Sequence, residues 1–352
     1  RAACKRDDPG TDSRRKKAGD QAYRLTTVVQ TREQFEAVFP DMEKSAFRAE
    51  EGEAAGVREY LIVDADLFLE DMEVRERISV GKVYWGIKCP LILRQSDRAY
   101  LQRLQSLIEE KEPDILYCGT IDVLAWAKGI LYRGEIAGEA SLYAWNREAV
   151  LFWAKELDCV SVPLELDSRE IRELSGFPVS CGADGGQQYI AERLTACGQE
   201  YPVDRLEAPV YGRAPFMVSA NCVKLSSDRC DRDRRQYAEL TDRMGNIFPV
   251  YTNCSHCYNI IYNCLPTSCH ESLWMLQEDG IRSFRIEFTV EDGQTAGDVR
   301  QTFRDFLASE LQRKDLNGKE KERKDFGCGI QEKKNFTGKA RREKSYPGTG
   351  IQ

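Results

Sequence analysis

Four cysteines form the densest group of reactive side chains in the sequence. Cys222 and Cys230 stand in "SANCVKLSSDRC" with a CX7C spacing, and Cys254 and Cys257 follow in "TNCSHCYNIIYNC" as a CX2C pair. A CX2C pair lets two thiolates reach one ion from a single tight turn, and the first pair can add two more from a separate loop. Zinc would take such a set in a closed tetrahedral site, whereas a cubane 4Fe-4S cluster would take one thiolate per iron. Cys264 and Cys269 follow closely and are reserve ligands for either member of the CX2C pair. The chain has only 2 histidines, which leaves little scope for mixed sites, and His256, inside the CX2C loop, is expected behind the ligands or exposed. Cys89, Cys118 and Cys159 lie within apolar runs and read as core. Disulfides need an oxidising compartment, and the 13 cysteines of this large acidic chain come without an evident export signal.

Two charged residues precede the cysteines. "RLEAPVYG" reads as a strand running into Gly212, so Arg213 and the loop up to Cys222 belong at the C-terminal end of a strand, the face on which barrels build active sites. Glu207 and Arg213 are therefore candidates for holding a substrate carboxylate or phosphate, or else for pairing with each other. "LTDRMGNIFPV" reads as a hairpin turning at Gly245 and Asn246, with Asp242 and Arg243 as turn scaffolding. No HEXXH or GXSXG motif is present, and "GADGG" has the wrong spacing for a nucleotide-binding loop. Hydrolytic chemistry thus has no visible nucleophile and base.

The elements that must position these residues alternate. Residues 59–65, 82–93, 114–118, 138–145 and 159–166 are β-rich runs bounded by turn formers. Between them, "DRAYLQRLQSLIEEKEP" sets Tyr100, Leu101, Leu104 and Leu107 on one side, with Asp97 as its expected N-cap and Pro113 as its stop. Asn146 and Asp167 are the expected N-caps of two further helices. Strand and helix in alternation give an α/β chain with a parallel sheet and crossover helices, closed as a barrel or doubly wound. Only five or six units are countable against the eight of a TIM-type barrel, so a partial or complete barrel is expected, the edge of a partial one being completed by upstream sequence or by another chain.

With 352 residues and a net charge of −7, the chain is long enough for a substantial core. It contains no run of apolar residues long enough to span a membrane, and its polar start has no signal-peptide character, which predicts a cytoplasmic protein. The chain begins at Arg1 rather than Met and reads as a piece of something longer. Residues 1–20 and 311–352 read as disordered. The last 40 residues carry 12 Lys and Arg against 6 Asp and Glu, a local +6, so the remainder carries −13. Such a basic tail suits RNA phosphates, or else is simply solvated. Between the tails, 21–310 is expected to form one barrel domain, with 175–206 as an insertion and 210–270 as the cysteine-rich region. Cys181 and Cys197 of the insertion have no evident partner.

The phrases "GEASLYAWN", "VPLEL", "VYGRAPFMVSANC", "LTDRMGNIFPV", "CSHCYNIIYN" and "IRSFRIEFTVED" together resemble the collagenase-like U32 peptidase family. The likeness is to the C-terminal portion of long bacterial members that carry an additional inserted domain. The resemblance implies a barrel of the TIM type with cysteines near its mouth. It also favours iron-sulfur over zinc, because some relatives are iron-sulfur proteins that support oxygen-independent hydroxylation of RNA bases. The leading expectation is such an RNA-modifying enzyme. A metal-dependent peptidase acting on a peptide substrate, and a non-catalytic half of a longer enzyme, are the alternatives.

Overall fold

The structure, a computed structural model, describes residues 23–50, 56–175, 205–226, 230 and 236–316. The expected insertion falls almost wholly on 176–204, and the tail expected at 1–20 and most of that expected at 311–352 also lie outside the described residues, as do Cys181 and Cys197; residues 311–316 instead continue the last helix.

The barrel is complete. Its parallel strands are β1 (Tyr23–Val29), β2 (Val57–Asp64), β3 (Tyr84–Lys88), β4 (Ile115–Cys118), β5 (Glu135–Gly138), β6 (Cys159–Ser161), β7 (Leu206–Gly212) and β13 (Ser283–Glu287). Each pairs with the next from β1 to β7; then β7 pairs with β13 and β13 with β1. The open edge expected from five or six units does not exist, because strands of this chain alone close the sheet. The two strands that sequence reading missed, β1 and β13, carry Arg24 and Thr26, and Ser283, Arg285 and Glu287, at alternate positions. Those positions face the barrel interior, so neither segment shows the unbroken apolar run expected of a buried parallel strand. Other boundaries move. The strand expected at 138–145 lies earlier, as β5 ending at Gly138, and Ala140–Leu142 is a single 3-10 turn; the runs at 82–93 and 159–166 supply only the shorter β3 and β6.

Helices α1 (Arg32–Glu50), α2 (Ala65–Glu70), α3 (Met72–Val80), α4 (Arg98–Lys111), α5 (Ile121–Gly129), α6 (Arg147–Trp153) and α7 (Ser168–Leu174) follow the first six strands. Their apolar faces and the outward residues of the strands, among them Leu25, Leu61, Ile87, Leu116 and Phe284, form the main core. Asn146 caps α6, and Asp167 forms a capping box with Glu170 on α7, as their positions predict. Asp97 precedes α4 but makes no side-chain cap; its carboxylate is taken by other partners described below.

Between β7 and β13 the chain leaves the barrel. It builds a four-stranded antiparallel sheet from β8 (Pro215–Ser219), β9 (Gln236–Thr241), β10 (Ile247–Asn253) and β11 (Tyr258–Tyr262), in the order β8-β11-β10-β9. The short helix α8 (Val223–Ser226) lies between β8 and β9. Strand β12 (Thr267–Ser268) pairs antiparallel with β7, and helix α9 (Leu273–Glu278) leads back to β13. The hairpin turn expected at Gly245 and Asn246 joins β9 to β10. There Asp242 accepts hydrogen bonds from the backbone of Met244 and Asn246 and from the Asn246 side chain, the scaffolding role expected of it. Helix α10 (Gly293–Leu316) follows β13.

Candidate active site

The C-terminal ends of the barrel strands present polar residues into a cavity of about 370 Å³. Its floor includes Gln30, Asp64, Lys88, Glu139, Arg285 and Glu287. The inserted sheet roofs it: Tyr251, Tyr258, Ile260 and Tyr262 are buried on the sheet's inward face and pack with Leu91 and Ile92. A charged floor beneath an aromatic roof has the character of a binding cleft.

Four charges from three strand ends, those of β3, β5 and β13, meet on the floor. Lys88 pairs with Glu287, and Arg285 donates to the other Glu287 oxygen at 2.8 Å. Glu139 lies 3.7 Å from Lys88 and 3.6 Å from Arg285. Its side chain makes no hydrogen bond among the described residues, and its Oε1 is buried with only the Arg285 ion-pair contact. Burial alone would raise the Glu287 carboxyl, but Lys88 and Arg285 outweigh it and hold the group down at about 2. Burial likewise works against the Lys88 ammonium, and Glu139 and Glu287 reverse that, so its pKa lies above the ordinary lysine value. The floor therefore holds two fixed cations and a fixed anion, with Glu139 as the carboxylate least committed to hydrogen bonding.

This arrangement makes stability depend on acid. Because the folded value of Glu287 lies near 2 and the unfolded value near about 4.3, its contribution is full above the unfolded value and is lost as pH falls through the folded one. A contribution on the order of 3 kcal/mol is expected. Chemical denaturation of the wild type between about pH 4.5 and 2 should show a steeper loss of stability than the same titration of Glu287→Gln. Equal slopes would mean that Glu287 is not held ionised.

The roof is fastened to the barrel by a second polar group. Asp66 accepts from Tyr100 at 2.7 Å and from Asn253 at 3.0 Å, which ties β10 to α2 and α4. His256 is wholly buried rather than exposed. Its Nδ1 lies 2.8 Å from Asp97 Oδ2, its ring meets Tyr100 edge-on, and Arg94 donates to its carbonyl. Burial opposes ionisation of Asp97, but the hydrogen bonds from His256 and the Arg94 backbone lower its pKa. Asp97 is therefore the anchor of the CX2C turn instead of a helix cap.

The cysteines lie along this roof. Cys254 and Cys257 occupy the four-residue turn between β10 and β11, closed by the pair Asn253 and Tyr258. Cys257 adopts a left-handed φ of 52°, and its Sγ lies 3.9 Å from the Cys254 carbonyl. Cys222 reaches the same end of the sheet: Ser219 pairs with Asn259, and the Asn259 side chain donates to the Asn221 carbonyl at 2.8 Å. Lys224 donates to Cys254 Sγ at 3.6 Å. Cys222 and Cys254 are half-buried, and Cys230 and Cys257 are exposed. Among the described residues, no three side chains of His, Cys, Asp or Glu converge closely enough to hold a metal ion. Three soft donors thus share one end of the sheet without meeting. The reserve ligands are elsewhere: Cys264 follows the far end of the 5-residue strand β11, roughly 16 Å from the CX2C turn. Cys269 packs against the main core.

Glu207 and Arg213 do not pair with each other. Glu207 is fully buried inside the barrel and accepts from Thr26, Tyr117, Ser161 and Ser283 at 2.8 to 3.3 Å. It stands near the start of β7, away from the strand's C-terminal end, and braces the interior. Arg213 lines the cavity, yet its guanidinium donates to the carbonyls of Asn263 and Cys264 and lies 3.4 Å from Glu291. It thereby straps the return loop. Cys89, Cys118 and Cys159 are buried, as expected.

Sequence reading overlooked Lys88, Glu139, Arg285 and Glu287. A signal existed for the first: Lys88 is the one charge inside the apolar run "VYWGIKCPLIL". A lone charge at the C-terminal end of a barrel strand points to a site.

No protein-family model matches the sequence, and no curated protein matches it. Among solved structures, the chain is similar to the U32 peptidase Mk0906, at 11% identity over 78% of this chain and 96% of that one, with a TM-score of 0.32. It is similar to a chitinase from Chromobacterium violaceum ATCC 12472, at 8% identity over 82% and 99%, with a TM-score of 0.31. The spore cortex-lytic enzyme SleL of Bacillus cereus aligns at 10% identity over 80% and 74%, with a TM-score of 0.29. Likeness this remote assigns no activity. The TIM-type barrel stands on the chain's own strand pairing, a closed ring of eight parallel strands.

Proposed function

We propose that the chain is a cytoplasmic iron-sulfur enzyme related to the U32 family, supporting oxygen-independent hydroxylation of an RNA base at the barrel mouth. The observation that carries this reading is the inserted sheet, which roofs the charged cavity with one face and bears Cys222, Cys254 and Cys257 at one end. In this reading Cys222, Cys230, Cys254 and Cys257 hold the cluster. Their donor type suits it, since all four are soft and three share one sheet end, although among the described residues those three do not meet. When bound, the cluster would hold, or relay electrons to, a separate oxygen-donating co-substrate, which must be reduced by two electrons as the base gains its hydroxyl.

The chain's own residues then have separable tasks. Lys88 and Arg285 fix Glu287 and present donors to the cavity, and Glu139 offers a carboxylate free to accept a proton from the substrate. The tyrosines of the roof keep water from the floor. The peptidase alternative gains no support from the two histidines. His256 is sealed against Asp97, and His270 makes its hydrogen bond to Ser268, two residues away.

The reading is tested by producing wild type, Cys222→Ala and Glu139→Gln in the same host and analysing nucleosides from total RNA by mass spectrometry. Wild type should generate a nucleoside one oxygen atom heavier than its parent, and both variants should lose it. RNA unchanged by wild-type protein that carries its cluster would contradict the proposal.

A further inference from the structure

The loop leaving β5 displays two aromatic rings, Tyr143 lining the cavity and Trp145 beside it. Tyr143 is 56% exposed and Trp145 45% exposed. Their ring centroids are 6.3 Å apart and their planes differ by only 6°. Nothing in the packing of the barrel requires either ring to be outside, since burying one would stabilise the fold. Tyr143 also holds a φ of 52°, in the left-handed region that a bulky residue enters only at a cost. Its N–H donates to Ala140 at 3.0 Å, and the Trp145 N–H donates to the Tyr143 carbonyl at 2.8 Å. The backbone thus fixes the display at some expense, and such strain gathers where side chains serve ligands.

Tyr143 lines the same cavity as Glu139 and Lys88, and Phe216 and Met217 of β8 line it too, 70% and 50% exposed. A flat apolar rim therefore stands over a polar floor. We infer that Tyr143 and Trp145 form a stacking platform for an unpaired base of single-stranded RNA, directing the base's polar edge toward Glu139 and Lys88. This inference rests on the RNA reading given above and adds the residues that would seat the base. Two observations favour a nucleobase over a sugar. A ring flat on both faces can extend a near-parallel stack, whereas a sugar chair meets a single aromatic face through its C–H groups. The floor sets an acceptor, Glu139, beside the donors Lys88 and Arg285, a mixed complement to a base edge.

Fluorescence anisotropy with a labelled single-stranded RNA, and with the same strand made abasic, tests this on the full chain at fixed salt. Wild type should bind the intact strand more tightly. Tyr143→Ala and Trp145→Ala should each weaken that binding about tenfold, while Tyr143→Phe retains it. The abasic strand should be indifferent to all three changes. Unchanged thermal melting, expected for rings this exposed, excludes misfolding as the cause. Alanine variants that bind the intact strand like wild type would overturn the inference, as would quenching of tryptophan fluorescence by chitohexaose but not by RNA. Protein lacking iron that still shows the stacking pattern would support the platform and count against hydroxylation. Cluster-bearing protein whose RNA affinity ignores Tyr143 would sink the platform alone.

Discussion

Gly86→Ala is expected to destabilise the protein by about 3 kcal/mol or more, an outsized effect for one added methyl group. Gly86 sits in β3 between Ile62 of β2 and Ile115 of β4. A β-carbon there would lie 2.2 Å from the Ile115 carbonyl oxygen and 2.4 Å from its Cγ2. The first of these is backbone inside a closed ring, so relief requires neighbouring strands to shift, and the ring transmits the strain. Gly129, at the end of α5, provides the control, because a β-carbon there would meet nothing within 4 Å. Gly129→Ala should stabilise by about 0.5 kcal/mol through lower unfolded-state entropy and better helix propensity. Urea denaturation of the two variants should therefore give shifts of opposite sign. Similar shifts for both would mean that β3 is not packed against β4 as described.

Arg300→Ala carries the second large effect. Arg300 is only 1% exposed although it lies on the helix that follows β13, and it donates to Glu59 at 2.6 Å. Glu59, near the start of β2, is also held by Arg304 at 3.1 Å. Removing the Arg300 guanidinium leaves a buried carboxylate with one partly exposed partner, and a loss of about 3 kcal/mol is expected. Replacing both partners by apolar residues, Arg300→Met with Glu59→Leu, should recover much of that loss, because neither desolvated charge then remains. Thermal unfolding of the two single variants and the double variant would separate these cases. A double variant no better than the sum of the singles would show that the pair is not coupled.

How far the sequence betrayed this structure depended on where each residue's partners lie. Asn146 and Asp167 cap helices within three residues of themselves, and both were readable from local spacing. Asp97 has the same local signature but gives its carboxylate to His256, 159 positions away, and so fails as a cap. β1 and β13 escaped notice because a barrel with charge in its interior does not write an apolar run along every strand. The cysteine spacing correctly located a tight turn and a neighbouring loop. By contrast, the floor of the cavity joins Lys88 to a residue 199 positions away, a proximity that exists only once the sheet closes. Periodicity holds no trace of it.

What the cysteine end of the roof holds decides whether this barrel carries a cluster. Wild-type protein purified without oxygen should be brown and contain iron and acid-labile sulfide in equal amounts, and Cys222→Ala, purified alongside, should lose most of both. Wild type free of iron under those conditions, or a Cys222→Ala variant that retains it in full, would contradict a cluster at this site.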